Sequence, residues 1–202
     1  MMKLLEKIKF RINKFLVTTP TIPDMVEKRK LIENYRLNFN PSVFVETGTF
    51  FGDTVDHFKN QFEELYSIEL SSELADKAVK RFDGNAKIHI IHGNSANVLA
   101  PVLNKLRGTV LFWLDGHYSS EFFLKDVFIK TAKGETNTPV LKELEIILAS
   151  NLHSVILIDD ARLFLGKDDY PTIKEIKVIV NKSGLPYNML VSNDIIQIFP
   201  NK

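Results

Sequence analysis

Residues 43–55 read VFVETGTFFGDTV. Val43-Phe44-Val45 is a short apolar run of β-forming residues, as expected of a buried strand. Glu46 closes the run, Gly48 and Gly52 flank a turn, and Asp53 opens a helical segment to about Lys59. Glycine tolerates left-handed backbone and lets the chain pass close to a ligand. The start of the following helix offers unpaired N–H groups to an anion. The spacing is E-x-G-x-x-x-G, with Phe50 where a dinucleotide turn G-x-G-x-x-G would carry its middle glycine. Taken alone, the turn also suits a plain strand-to-helix connection.

The same alternation continues on both sides. Upstream, Asp24 to about Phe39 reads as a helix that Pro41 ends, and Pro20 and Pro23 part it from an earlier one. Downstream, strands are expected at Leu65–Ile68, Ile88–Ile91, Val110–Leu114 and Val155–Ile158. Helices are expected at Ser71–Phe82, Ser95–Leu106, Pro139–Ala149 and Pro171–Asn181. Tyr187–Val191 and Ile195–Phe199 flank the short turn VSND and read as an antiparallel hairpin. Strands alternating with helices predict an α/β fold: a Rossmann-like, doubly wound, mostly parallel seven-stranded sheet closed by a C-terminal antiparallel hairpin. Residues 1–40 are expected to form an N-terminal helical extension and residues 41–202 the domain. In such sheets ligands lie outside the carboxyl ends of the strands.

The strand ends carry the chemistry. The second strand ends at Glu69, 23 residues after Glu46, where a carboxylate can accept from two ribose hydroxyls. A solvated Glu before a helix cap is the plainer alternative. The third ends at His92-Gly93-Asn94-Ser95, and Asn94 and Ser95 stand where an adenine edge would be read. The fourth ends in LFWLDGHYSS, with Asp115 at its tip and His117 two residues on. The fifth ends in SVILIDDARLF, with Asp159 and Asp160. If the fourth and fifth strands are neighbours, three carboxylates meet at one rim. Three oxygen ligands suit Mg²⁺ or a similar divalent cation. The alternative is that one aspartate caps a loop and another pairs with Arg162 or a lysine, since buried acids find cations.

Composition narrows the classes. The chain has 202 residues, a net charge of +1, 45% hydrophobic and 25% charged residues, and no cysteine. That allows one domain with a full core. It announces no nucleic-acid partner, and it excludes a disulfide framework and thiol catalysis. No apolar run is long enough to span a bilayer. The opening MMKLLEKIKFRINKFL does not read as a signal peptide, and a cytoplasmic location is expected. It is basic and amphipathic, suiting a weak membrane-surface contact, packing on the domain, or a homo-oligomer contact.

Together, ETGTFFGDT, YSIELSSELADKA, GNS, LFWLDGH and ILIDDARLF resemble class I S-adenosylmethionine-dependent methyltransferases. The pattern is similar to the cation-dependent O-methyltransferase branch, which includes catechol O-methyltransferase and bacterial sugar and macrolide tailoring enzymes. The resemblance covers about residues 43–199. It implies S-adenosylmethionine as cofactor, with Glu46, Gly48, Thr49 and Gly52 shaping the methionine pocket and Thr54 near its carboxylate. It implies Glu69 on the ribose, Asn94 and Ser95 at the adenine, and Asp115 beside the cofactor. It implies Asp115, Asp159 and Asp160 as metal ligands. One feature departs from the branch. Where the catechol enzymes carry a basic lysine three residues after the strand-four Asp, this chain has Tyr118. His117, with an ordinary pKa of about 6.5, is the replacement base, or else a loop residue or a substrate contact. The expected acceptor is a hydroxyl of a small molecule or sugar, covered by a lid from residues 117–139 that includes Phe122, Phe123, Phe128 and Gly134. An NAD-dependent or other nucleotide-binding enzyme, and a non-catalytic scaffold of the same fold, are the competing readings.

Overall fold

A computed structural model describes residues 22–118, 121–124, 127–150 and 152–201. The basic segment of residues 1–16 lies outside them, as do the side chains of Phe122, Phe123 and Phe128. The strands are β1 (Val43–Thr47), β2 (Glu64–Glu69), β3 (Ile88–His92), β4 (Thr109–Leu114), β5 (Glu121–Leu124), β6 (Val127–Lys130), β7 (His153–Ile158), β8 (Tyr187–Ser192) and β9 (Ile195–Pro200). The α-helices are α1 (Met25–Phe39), α2 (Asp53–Phe58), α3 (Ser72–Arg81), α4 (Ser95–Leu103), α5 (Val140–Ala149) and α6 (Ile173–Lys182).

Seven strands form one sheet in the order β3-β2-β1-β4-β7-β9-β8. β1, β2, β3, β4 and β7 run parallel, and β9 is antiparallel to both β7 and β8. The chain thus builds outward from β1 to one edge, returns beside β1 with β4, and builds to the other edge. That reversal is the topological switch point where doubly wound sheets bind ligands. β4 and β7 are neighbours in register, as the convergence of their tips requires.

Side-chain alternation along the central strands covers both faces. Val110, Phe112 and Leu114 join Val45, Ile156, Ile158 and Ile196 on one face, packed by Leu99 of α4, Leu144 and Ile147 of α5, and Ile176 and Val180 of α6. Leu111 and Trp113 join Phe44, Val155 and Leu157 on the other, packed by Ile32 of α1 and by Val55 and Phe58 of α2. α1, read from sequence as part of an extension, therefore contributes to the core. Asp24 caps it with a full capping box to Glu27, which satisfies two of its free amides. Tyr35 donates to Gln197 of β9 at 2.9 Å, and its ring packs at a tilt against Phe199, centroids 5.4 Å apart.

The stretch after β4, expected to form a lid and assigned no strands, contains a separate two-stranded antiparallel hairpin, β5–β6. No periodic signal in its polar-aromatic sequence separated strands from loop. Among the described residues, no helix is long and apolar enough to cross a membrane.

Candidate active site

The carboxyl ends of β1 to β4 open on a cavity of about 250 Å³. Gly48, Glu69, Asn94, Ser95, Asp115 and His117 all line it, and residues of the 131–139 segment close one side. The turn after β1 explains the geometry. Gly48 has φ +88°, and a Cβ there would lie 2.5 Å from the carbonyl oxygen of Asp115. Only glycine lets the turn pack against the tip of β4.

Glu69 is 7% exposed, and its carboxylate is held by two backbone amides. Phe50 N donates to Oε2 at 2.8 Å and Ser71 N to Oε1 at 2.9 Å. Each carboxylate oxygen has a second lone pair, so a fixed Glu69 can also accept from ligand hydroxyls. Asn94 caps α4 through Oδ1, which accepts from Ala96 N at 3.0 Å. Its Nδ2 points toward Gly134 across the cavity mouth, 3.7 Å from where a Cβ on that glycine would be.

Glu46, Thr49, Gly52 and Thr54 are not among the residues that line the cavity, and Glu46, Thr49 and Thr54 are buried behind the β1 turn. Ser67 Oγ donates to Glu46 Oε2 at 2.7 Å and lies 2.6 Å from Thr49 Oγ1. Burial pushes the Glu46 carboxyl up to about 8, against the pull of hydroxyls on Ser67 and Thr54. Gly52 begins α2 at φ +78° against the Phe82 ring. A residue missed in the sequence, Glu143 of α5, lies under the same floor. It is 1% exposed, and burial pushes it up to about 7 with the hydroxyls of Ser95 and Thr47 opposing. In VLKELEIILA it reads as an ordinary first-turn acid, so nothing signals its burial.

The three aspartates do converge. Asp159 N donates to Leu114 O, which puts the β7 tip beside Asp115. The chain turns at Asp160 through left-handed backbone, φ 57° and ψ 45°, so successive side chains can face one place. What they meet there is a set of cationic side chains. Lys28 of α1 is ion-paired to Asp159 Oδ2 and lies 3.9 Å from Asp160 Oδ1. Arg162 Nη1 donates to Asp160 Oδ1 at 2.7 Å and also pairs with Asp194. His117 bridges Asp115 Oδ1 and Asp160 Oδ2, both at 3.3 Å. Asp159 Oδ1 accepts from Asp160 N at 2.8 Å. Every oxygen of the Asp159–Asp160 pair is thereby engaged. A divalent ion held by these oxygens would stand beside the Lys28 ammonium, which repels it. The arrangement does not fit a divalent cation, and among the described residues no group of three acidic or histidine side chains has the geometry of a metal site. The pairing with Arg162 and a lysine, the alternative reading of the same residues, is the one present.

Charge shapes the titrations here. Burial and the Asp115 charge push Asp159 up to about 7 despite Lys28. Burial opposes protonation of His117, but its hydrogen bond to Asp115 and the charges of Asp115, Asp160 and Asp159 outweigh that and raise its pKa.

The sequence matches no protein-family model and no curated protein sequence. Solved structures match in three dimensions. An S-adenosylmethionine-dependent methyltransferase from Clostridium acetobutylicum superposes with a TM-score of 0.56 at 12% identity, covering 98% of this chain and 100% of that one. The fold is that of the S-adenosylmethionine-dependent methyltransferases. The O-methyltransferase of Bacillus cereus, in complex with SAH (S-adenosylhomocysteine), superposes at 0.54 and 14% identity over 96% of this chain and 88% of that one. The SAH-bound methyltransferase of Podospora anserina gives 0.54 and 16% over 98% and 88%. Identities this low make it a likeness of fold, and the methyltransferase fold puts the cavity at its switch point.

Proposed function

We propose that this chain is an S-adenosylmethionine-dependent methyltransferase acting on a hydroxyl oxygen of a small molecule or sugar. The observation that carries the reading is the cavity's chemistry. Glu69 and Asp115 line it, and among the described residues no lysine or arginine does. A sulfonium and an ammonium suit an acidic lining, whereas a dinucleotide pyrophosphate sits on the helix N-terminus behind a G-x-G-x-x-G turn, and this chain has Phe50 in place of the middle glycine.

S-adenosylmethionine supplies, when bound, an activated methyl group on a sulfonium. The protein's share is positioning. Glu69 accepts from the ribose hydroxyls, Asn94 and Ser95 flank the adenine, and Gly48 lets the β1 turn approach the ligand closely. The layer of Glu46, Ser67, Thr49 and Thr54 holds that turn from below. His117, on the rim between Asp115 and Asp160, takes up the proton released as the acceptor oxygen is methylated. No step passes through a divalent ion, because the aspartates already hold Lys28, Arg162 and His117.

Calorimetry with S-adenosylhomocysteine tests the reading. Binding in the micromolar range is expected, and Glu69→Ala should weaken it by about 10- to 100-fold, the value of charge-assisted hydrogen bonds of about 1.5–3 kcal/mol. Absence of binding at millimolar ligand, with NAD binding instead, would replace the proposal by the nucleotide-enzyme reading. Release of S-adenosylhomocysteine in the presence of sugars or phenols then identifies the acceptor.

A further inference from the structure

Lys28 has no part in the resemblance by which the site was read, yet it occupies the centre of the aspartate corner. Lys28, Ile32 and Tyr35 fall at i, i+4 and i+7 on α1, so they share one helix face. Ile32 is 1% exposed in the core, and Tyr35 is hydrogen-bonded to Gln197. That face is clamped at two points, and Lys28 is carried inward, its side chain 12% exposed. Its ammonium pairs with Asp159 and stands 3.9 Å from Asp160. Asp160 continues to His117 at 3.3 Å, and His117 to Asp115 at 3.3 Å. One chain of charges thus runs from α1 to the cavity rim.

We propose that Lys28 is the built-in cation of this corner, standing in the place of a divalent ion and making the site metal-independent. An ammonium and a divalent ion compete for Asp159, since they carry like charge and repel each other at so short a range. Lys28 is a positioning residue. It holds Asp159 and Asp160, and through Asp160 the imidazole of His117. The catalytic part of this role rests on the methyltransferase reading, but the competition between Lys28 and a metal ion does not.

The test is a Mn²⁺ titration of the full chain, followed by the electron paramagnetic resonance of free Mn²⁺. The unmodified protein and Lys28→Arg, which keeps the charge, should take up no Mn²⁺ at this site. Lys28→Ala should gain a site of one-to-one stoichiometry, and adding Asp159→Asn should abolish it. Lys28→Met, which keeps the apolar stem, serves if Lys28→Ala does not fold. Uptake by the unmodified protein that Asp159→Asn removes would overturn the proposal. So would a folded, charge-free variant that takes up nothing. S-adenosylhomocysteine calorimetry on the same samples keeps the two readings apart. Loss of cofactor binding by the unmodified protein would sink the methyltransferase reading and leave the Mn²⁺ titration to decide on Lys28.

Discussion

His117 has both ring nitrogens against carboxylates, Nδ1 on Asp115 and Nε2 on Asp160. An imidazole so placed is held as the cation, and its pKa rises above the ordinary value. A cationic ring has no lone pair to accept a proton. A rate that depends on His117 as base should therefore climb with pH through a value above about 6.5. Initial-rate measurements across pH check this. The unmodified enzyme should show the rising limb, and His117→Gln should lose most of the rate together with the limb. A rate in His117→Gln that equals the unmodified one would remove the base assignment. Residues of this kind were legible because they stand at strand tips, where the chain order alone brings them to one edge. Lys28 was not. It lies in MVEKRKLIENYRLNF among Arg29, Lys30 and Arg36, 131 residues from its partner Asp159, and no local pattern selects it from its neighbours.

α1 shows how an element can couple stability to chemistry. Its inward face carries one large core residue, Ile32, and the ammonium that neutralises the aspartate corner. Truncating Ile32 leaves a cavity between α1 and the sheet. Ile32→Ala should cost about 2–5 kcal/mol of unfolding free energy, the range for a large-to-small change in a packed core. Urea denaturation measures that loss, and a cost below about 1 kcal/mol would mean that α1 is not anchored through this residue. The capping aspartate of α1, the strand-helix alternation and the closing hairpin all carry local signals, namely caps, periodicity and turn residues. The β5–β6 hairpin carries none that outweighs its polar surroundings, so its strands were missed.

Across the molecule, three buried carboxyls share a direction. Burial pushes Glu46 to about 8 and holds Glu143 and Asp159 at about 7. In the unfolded chain each titrates near 4. For acids raised in the folded state, stability is fully present below the unfolded value. It is lost as pH rises, because the unfolded chain gives up its protons first. The ligand-free protein should therefore lose stability between about pH 4.5 and pH 8 and level off beyond. Glu46→Gln should flatten that decline by up to about 5 kcal/mol, the equivalent of its pKa shift. Urea unfolding at several pH values in this window decides it. An unchanged slope in Glu46→Gln would mean that Glu46 is ionised in the fold.

The Arg162 side chain has a consequence for how the protein is made. It joins Asp160, at the end of β7, to Asp194, in the turn of the last hairpin, while Lys28 reaches the same corner from the first described helix. In the layer under the cavity, Glu46 and Ser67 are only 21 residues apart. Closing long loops is slow, since their entropy must be lost before the contact forms. Contacts in the layer under the cavity therefore close short loops, whereas the corner around Asp160 closes long ones. The corner beside His117 thus ties together the most distant parts of the described chain.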